Sequence, residues 1–353
     1  MHEGYFEDLI RRFLIENNHR SILVAVPKPG LGKKLEAKER KILKEVKEQL
    51  PSDEIDNLIA ETKKLQELQL TPDSPEALAK LPSLEIQDVP KEIEKYPLEI
   101  KSQGDSKILF HELFTNGIAY TQIGFNTESV PAEMIPYIPL LGTLMLGMGT
   151  NKHSYTEISK LIGMHTGGIR NSHFSSATVH DRHQVISYIS FSGKALMEKV
   201  DNLFDVFDEL LGEYSFDDHK RLIEIIRSAK SDMEDSIVPH GNHYVLARLQ
   251  SYQSRLGKFD EITDGITYYQ FLEQLLERVE KNPEEVAGQF RQVAERVFTR
   301  KNALFNVTSD QKDYRKIEKR IVTTIGILSD KEWKVEEWNL TAVPLNEAFL
   351  TAS

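Results

Sequence analysis

Histidine is the side chain that most readily binds zinc or moves protons near neutral pH, and it occurs 11 times in the 353 residues. Two pairs have a three-residue spacing, His180-Asp181-Arg182-His183 and His240-Gly241-Asn242-His243, and His165 and His173 lie nearby in the sequence. On a helix that spacing places both imidazoles on one face. A zinc site also needs a third protein ligand and an open, oriented position, and neither pair brings one with it. His180 and His183 fall between two strand candidates, where the spacing sends the side chains to opposite faces. His240 follows Pro239 and precedes Gly241, so the second pair opens a helix. Surface or capping roles are simpler for all four than an independent metalloenzyme.

Other chemistries find fewer residues still. The chain has no cysteine, which removes disulfides, thiolate zinc sites and cysteine nucleophiles together. There is no Gly-x-Ser-x-Gly elbow, no Walker loop and no Gly-x-Gly-x-x-Gly fingerprint. The Met148-Gly149-Thr150 piece follows a helix, so it is a poor phosphate cradle. Asp217-Asp218 and Glu336-Glu337 are adjacent carboxylates that diverge, and they read as solvated faces. Trp333 and Trp338 read as packing residues. A net charge of −11 argues against a nucleic-acid partner. It can attract basic peptides, although keeping the chain dispersed is explanation enough. The apolar run over residues 134–148 is too short and too broken by Pro136 and Pro139 to span a bilayer, so no membrane partner is expected. Residues 1–18 carry Glu3, Glu7, Asp8, Arg11 and Arg12 and do not read as a signal peptide.

The elements come in a definite order. Residues 5–17 have helical spacing, and 21–26 form a β-rich run stopped by Pro27 and Pro29. A lone strand cannot form a sheet. Residues 33–50 and 55–70 are amphipathic and separated by Pro51-Ser52-Asp53, an αα-hairpin. Prolines at 72, 75, 82, 90 and 97 make the next stretch an extended connector. Residues 108–114 and 118–125 alternate around Asn116-Gly117, a tight-turn signal. A buried helix over 131–148, a capping box at Ser154 and Glu157, and strands from 166 and 184 follow. Helices are predicted over 195–212, 217–255, 268–281 and 284–299, a strand over 303–307 and a helix over 314–325. The fold class is α+β: a mostly antiparallel sheet with helices packed on one face, preceded by the hairpin. Both termini read as cut, the last residues being apolar.

Several blocks carry a resemblance. They are Tyr5-Phe6-Glu7-Asp8-Leu9-Ile10 through His19-Arg20, Lys64-Leu65-Gln66-Glu67-Leu68-Gln69 with Thr71-Pro72-Asp73-Ser74-Pro75, Leu113-Phe114-Thr115-Asn116-Gly117-Ile118, and Met148-Gly149-Thr150 through Ser154-Tyr155 to Thr166-Gly167-Gly168-Ile169. In order and spacing they resemble the presequence protease branch of the insulinase-like, pitrilysin-type zinc metallopeptidases, with looser agreement after residue 195.

The resemblance implies two homologous halves joined by a helical hairpin, each half made of two α+β domains of the mitochondrial processing peptidase type, closing around a peptide chamber. On that template residues 1–27 end the second domain, 28–98 are hairpin linker and connector, 99–345 are a third domain, and 346–353 begin a fourth. The family's His-x-x-Glu-His motif binds zinc through its histidines and uses the glutamate as general base. With Gly149 placed on the family's glycine, Leu140 and Leu144 fall at the histidine positions and Thr143 at the glutamate. Leucine has no lone pair, and threonine is no base at neutral pH.

The expectation is therefore a non-catalytic middle fragment, hinge and chamber wall, of a zinc metalloendopeptidase that degrades short unstructured peptides. No catalytic, cofactor or metal residue is expected in this chain; zinc belongs to the missing N-terminal domain. Its partners are the remaining domains of the same polypeptide and an unstructured peptide. The alternative is a catalytically dead homologue acting as a scaffold or peptide-binding subunit. A bacterial cytoplasm is the expected location, with an organellar matrix as the other option.

Overall fold

The structure, a computed structural model, describes residues 4–24, 26, 28–338 and 340. They belong to two units, Met1–Ile93 and Glu94–Ser353.

The first unit opens with α1 (Tyr5–Ile10), which widens into one π-helical turn over Arg11–Ile15. The strand expected over 21–26 is not formed. Residues 21–24 and 26 have no regular structure, and Ile22 and Leu23 are exposed; Ala25 and Pro27 lie outside the described residues. A strand needs a partner for its backbone groups, and the described residues of this unit form none. The helical hairpin is present as α2 (Leu31–Gln49) and α3 (Ser52–Leu70), with Leu50 and Pro51 as the two non-helical residues between them. Ion pairs one turn apart, Glu36 with Arg40 and Lys41 with Glu45, support α2. The apolar stripes stay exposed, and near the turn Leu43, Val46, Leu50, Ile55, Leu58 and Ile59 line a shallow groove. The proline-rich connector holds only α4 (Pro75–Leu78), capped by Ser74, and a 3₁₀ turn at Ile86–Asp88.

The second unit is built on a six-stranded sheet. Its strands are β1 (Glu99–Gln103), β2 (Ser106–Glu112), β3 (Ile118–Asn126), β4 (Ile169–Ala177), β5 (Val185–Leu196) and β6 (Ala303–Ser309). Their spatial order is β1-β2-β6-β3-β5-β4. All pairings are antiparallel except β2 with β6. The Asn116-Gly117 turn forms as its sequence predicts, with φ of 51° and 75°, and Ile118 N donates to Thr115 O at 3.2 Å. It does not join paired strands. The late strand β6 slots between β2 and β3, and the turn crosses its end, where Leu113 N donates to Ser309 O and Thr115 to Asp310.

Helices α5 (Ile138–Gly147), α6 (Tyr155–His165), α7 (Val200–Gly212), α8 (His219–Ile237), α9 (Gly241–Ser251), α10 (Arg255–Asp264), α11 (Ile266–Lys281), α12 (Pro283–Val297) and α13 (Gln311–Ile327) make up the second layer. They pack on one face of the sheet. Phe110, Phe125, Phe191 and Phe305 point from the strands into this layer and are fully buried. Phe125 meets Phe298 edge-on at 5.0 Å, and Phe110 meets Tyr314 of α13 at 4.1 Å. Ser154 and Glu157 make the expected capping box on α6. The long helix expected over 217–255 breaks instead around Pro239, which has no N–H to donate, and again before Ser254, which caps α10. Asp217 and Asp218 are more than solvated charges: Asp217 pairs with Arg291 at 2.6 Å, and Asp218 caps α8. The two tryptophans pack as expected. Trp338 stacks on Phe259 at 5.0 Å and donates to Val130 O at 2.7 Å, and Trp333 lies under Arg296. Among the described residues no helix is long and apolar enough to cross a membrane.

One buried charge ties α9, α10 and α11 together. Glu261 is fully buried and accepts from Arg248 at 2.9 Å, Thr267 N at 3.0 Å and Thr267 Oγ1 at 3.1 Å. Removing one partner of such a pair strands the other's charge, while replacing both with apolar groups does not. Glu261→Ala is expected to lower stability by about 3 kcal/mol, and Arg248→Met with Glu261→Leu to recover most of it. Urea midpoints for the wild type and the two variants decide this; equal losses in single and double variants contradict it.

Candidate functional site

Two places in the second unit bear on function. They are the helix at the position the sequence marked, and the sheet face opposite the described helices of this unit.

Helix α5 is the centre of the helical layer. It touches β4, β5, α6, α8, α10 and α12. Its apolar composition suits that place: Leu140, Leu141, Leu144 and Met145 are buried and Thr143 is exposed. Gly142 lets the helix close on β4, since a Cβ there would sit 2.6 Å from the Asn171 amide. Leu140 and Leu144 lie four residues apart on one helical face, where a histidine pair would converge on a metal. Their side chains carry only carbon. Zinc takes nitrogen, sulfur or oxygen donors, so the residues of α5 do not fit a zinc ion.

The histidine pairs are not brought together. His180 and His183 sit on the exposed turn joining β4 to β5, which Thr178 and Asp181 hold by hydrogen bonds. His240 is the N-cap of α9, and His243 reaches Asp264 at 3.5 Å. Of the other two, His165 ends α6 and His173 is half-buried beside Phe259 of α10. Among the described residues no three His, Cys, Asp or Glu side chains converge as a metal site.

The outward face of the sheet is the second place. Strand alternation sends Lys107, Leu109 and His111 of β2 outward, and registered pairing places the outward residues of the other strands in rows beside them. One row runs Arg170, Ser192, Gln122, Asn306; the next runs Lys194, Tyr120, Thr308. A trough of about 580 Å³ follows these rows. Gln122 donates to Ser190 at 3.1 Å, and Ser172 and Ser190 share a bond at 2.8 Å. Sequence reasoning misses this surface. Its signal is the alternation within each strand, which is legible only once the order of the strands is known.

The sequence matches the family described as Peptidase M-16C associated over residues 26–275. The chain belongs to this family. Among curated proteins it is 31% identical to Protein HypA of Clostridium perfringens, over 99% of this chain and 36% of that protein. It is 30% identical to Presequence protease 1, chloroplastic/mitochondrial, of Arabidopsis thaliana, over 93% of this chain and 30% of that protein. It is 28% identical to the mitochondrial presequence protease of Saccharomyces cerevisiae, over 86% of this chain and 30% of that protein. The chain thus spans about a third of the length of the curated relatives it matches.

Within this peptidase-associated chain, burial also sets the acid sensitivity of the core. His173 points inward from β4, with Nε2 3.0 Å from Ser187 Oγ and its ring 5.7 Å from Phe259. Burial pulls its imidazole down from 6.5 to about 4. On the next inward position Ser175 donates to Asp260 at 2.6 Å. Burial pushes that carboxyl up, and the serine pulls it partly back.

Two outcomes follow for these residues. Leu144→Ala is expected to cost about 3 kcal/mol, whereas Thr143→Glu on the exposed side stays within about 0.5 kcal/mol, as denaturant melts will show. For His173, the unfolded chain binds a proton below pH 6.5 that the folded chain refuses until about pH 4. Its contribution is therefore complete above that window and lost as pH falls through it, by roughly 2–3 kcal/mol. His173→Gln should flatten the fall in urea midpoint across the window relative to wild type. Parallel pH profiles would assign the loss elsewhere.

Proposed function

We propose that this chain is the non-catalytic middle part of a zinc-dependent metalloendopeptidase that degrades short unstructured peptides, with the helical hairpin as hinge and the sheet unit as chamber wall. The observation that carries this reading is α5. In a chain of this family, the helix that would bear inverted-motif ligands is instead apolar and buried at Leu140 and Leu144. In this reading these two leucines and Thr143 stand at degenerate motif positions, and zinc, its ligands and the general base come from a preceding domain of the same polypeptide. Residues 1–27, 28–98, 99–345 and 346–353 are then the end of a second domain, the linker, a third domain and the start of a fourth; the last of these stretches lies outside the described residues. The helices leave one sheet face open, and that face is the surface offered to a peptide. A bacterial cytoplasm suits the chain's lack of cysteine.

The test has two parts. The purified 353-residue chain, given zinc and an unstructured peptide, should bind no stoichiometric metal in calorimetry and release no fragments in mass spectrometry. The reading frame at its locus should continue upstream and encode His-x-x-Glu-His. Chelator-sensitive cleavage by the chain alone overturns the reading. A frame that starts at Met1 with no such motif points instead to a catalytically dead homologue.

A further inference from the structure

The outward sheet face has a property that composition hides. The chain holds 55 acidic residues and a net charge of −11, yet no Asp or Glu occupies an outward position on any of the six strands. The acids of β1 and β2, Glu99 and Glu112, have the opposite parity. The basic groups that do face outward are Lys107, His111, Arg170 and Lys194.

Arg170 and Lys194 flank one end of the trough, and both are exposed. Among the described residues neither charged group has a hydrogen-bonding or ion-pair partner. Arg170 lies opposite Ser192, and Lys194 is two residues further along the same strand. They are thus diagonal neighbours, with backbones about 7–8 Å apart, close enough for two long side chains to meet on one group. Lys194 is held there by its stem, which lies against Gly167; a Cβ on that glycine would be 2.8 Å from Lys194 Cγ. Hydroxyl and amide groups from Tyr120, Gln122, Ser192, Asn306 and Thr308 continue along the trough, and the facing pair Phe174 and Tyr188 adds an aromatic flank.

We infer that this face is a docking surface for an unstructured peptide with an acidic side chain, whose carboxylate is held between Arg170 and Lys194. Charge complementarity selects the occupant. Two unpaired cations with no acid beside them attract a carboxylate, and the guanidinium fork accepts it with two parallel hydrogen bonds. The polar rows give an extended backbone places to hydrogen-bond. Arg170 and Lys194 at one end, with Lys107 and His111 strands away on β2, are too few for a phosphate backbone to track across the face. The proposal rests on the reading of this unit as chamber wall and adds the class of peptide it prefers.

Fluorescence anisotropy on the full 353-residue chain tests it. The probes are a labelled Gly/Ser peptide with central glutamates, its Glu→Gln version, its C-terminally amidated version, and a single-stranded RNA of similar length. The glutamate peptide should bind most tightly, amidation should change nothing, and added salt should weaken binding. Arg170→Ala and Lys194→Ala should each weaken it about tenfold, with urea midpoints unchanged. Loss on amidation but not on Glu→Gln assigns the site to a chain terminus and overturns the inference. Tighter binding of RNA, or Kd values indifferent to both substitutions, overturns it as well. Equal binding of the glutamate and glutamine peptides removes the acidic preference and leaves the chamber-wall reading standing. That reading fails only on the zinc and reading-frame results.

Discussion

The second unit depends on the burial of one face of its six-stranded sheet against a layer of helices. Phe110, Phe125, Phe191 and Phe305 project from four different strands into that layer, and each fully buried aromatic contributes on the order of 2–3 kcal/mol by area alone. Close packing fixes where each helix can lie. Gly142 admits α5 to β4, and Gly193 admits Leu203 and Phe207 of α7 to β5. A sheet satisfied this way on one side has no need of helices on the other. The open face is then available for function.

The same burial explains the character of α5. A helix touching two strands and four other helices has little surface left for charge, and an imidazole pair in the places of Leu140 and Leu144 would need a metal or other partners to offset its desolvation. Several of the charged and polar groups that enter the layer are paired there. Glu261 has Arg248 and Thr267, His173 has Ser187, and Asp208 takes hydrogen bonds from Arg320 and Thr324. These contacts serve stability. The α5 position and the open face therefore divide the unit into a side that holds the fold and a side that can meet a ligand.

Charge is divided in the same way. The acidic residues that give the chain its net −11 are absent from the outward strand positions, so the average charge misleads about the surface that matters. Attraction of basic peptides, one meaning the net charge could carry, does not describe this face. A local field from two uncompensated cations outweighs distant acids beyond about 8–10 Å, the screening length at physiological salt.

Much of this was legible in the residues. The hairpin over α2 and α3, the capping box at Ser154, the proline-rich connector, the Asn116-Gly117 turn and the α+β class all follow from local rules, because propensity, capping and turn chemistry act within a few residues. The carbon-only side chains at Leu140 and Leu144 also follow from sequence, since no fold can give leucine a lone pair. Other features required the tertiary structure. Residues 21–26 have strand propensity but no partner; the helix over 217–255 breaks where Pro239 and the packing of α9 on α10 demand it; and β6 enters between β2 and β3 from far along the chain. Strand order is a long-range choice that local sequence does not encode. It sets Arg170 and Lys194 beside one another, with Gln122 and Tyr120 completing their rows. The sequence by itself determined which residues could not do zinc chemistry. Only the pairing of distant strands decided which polar residues share a face, because contact across a sheet depends on register and order rather than on separation along the chain.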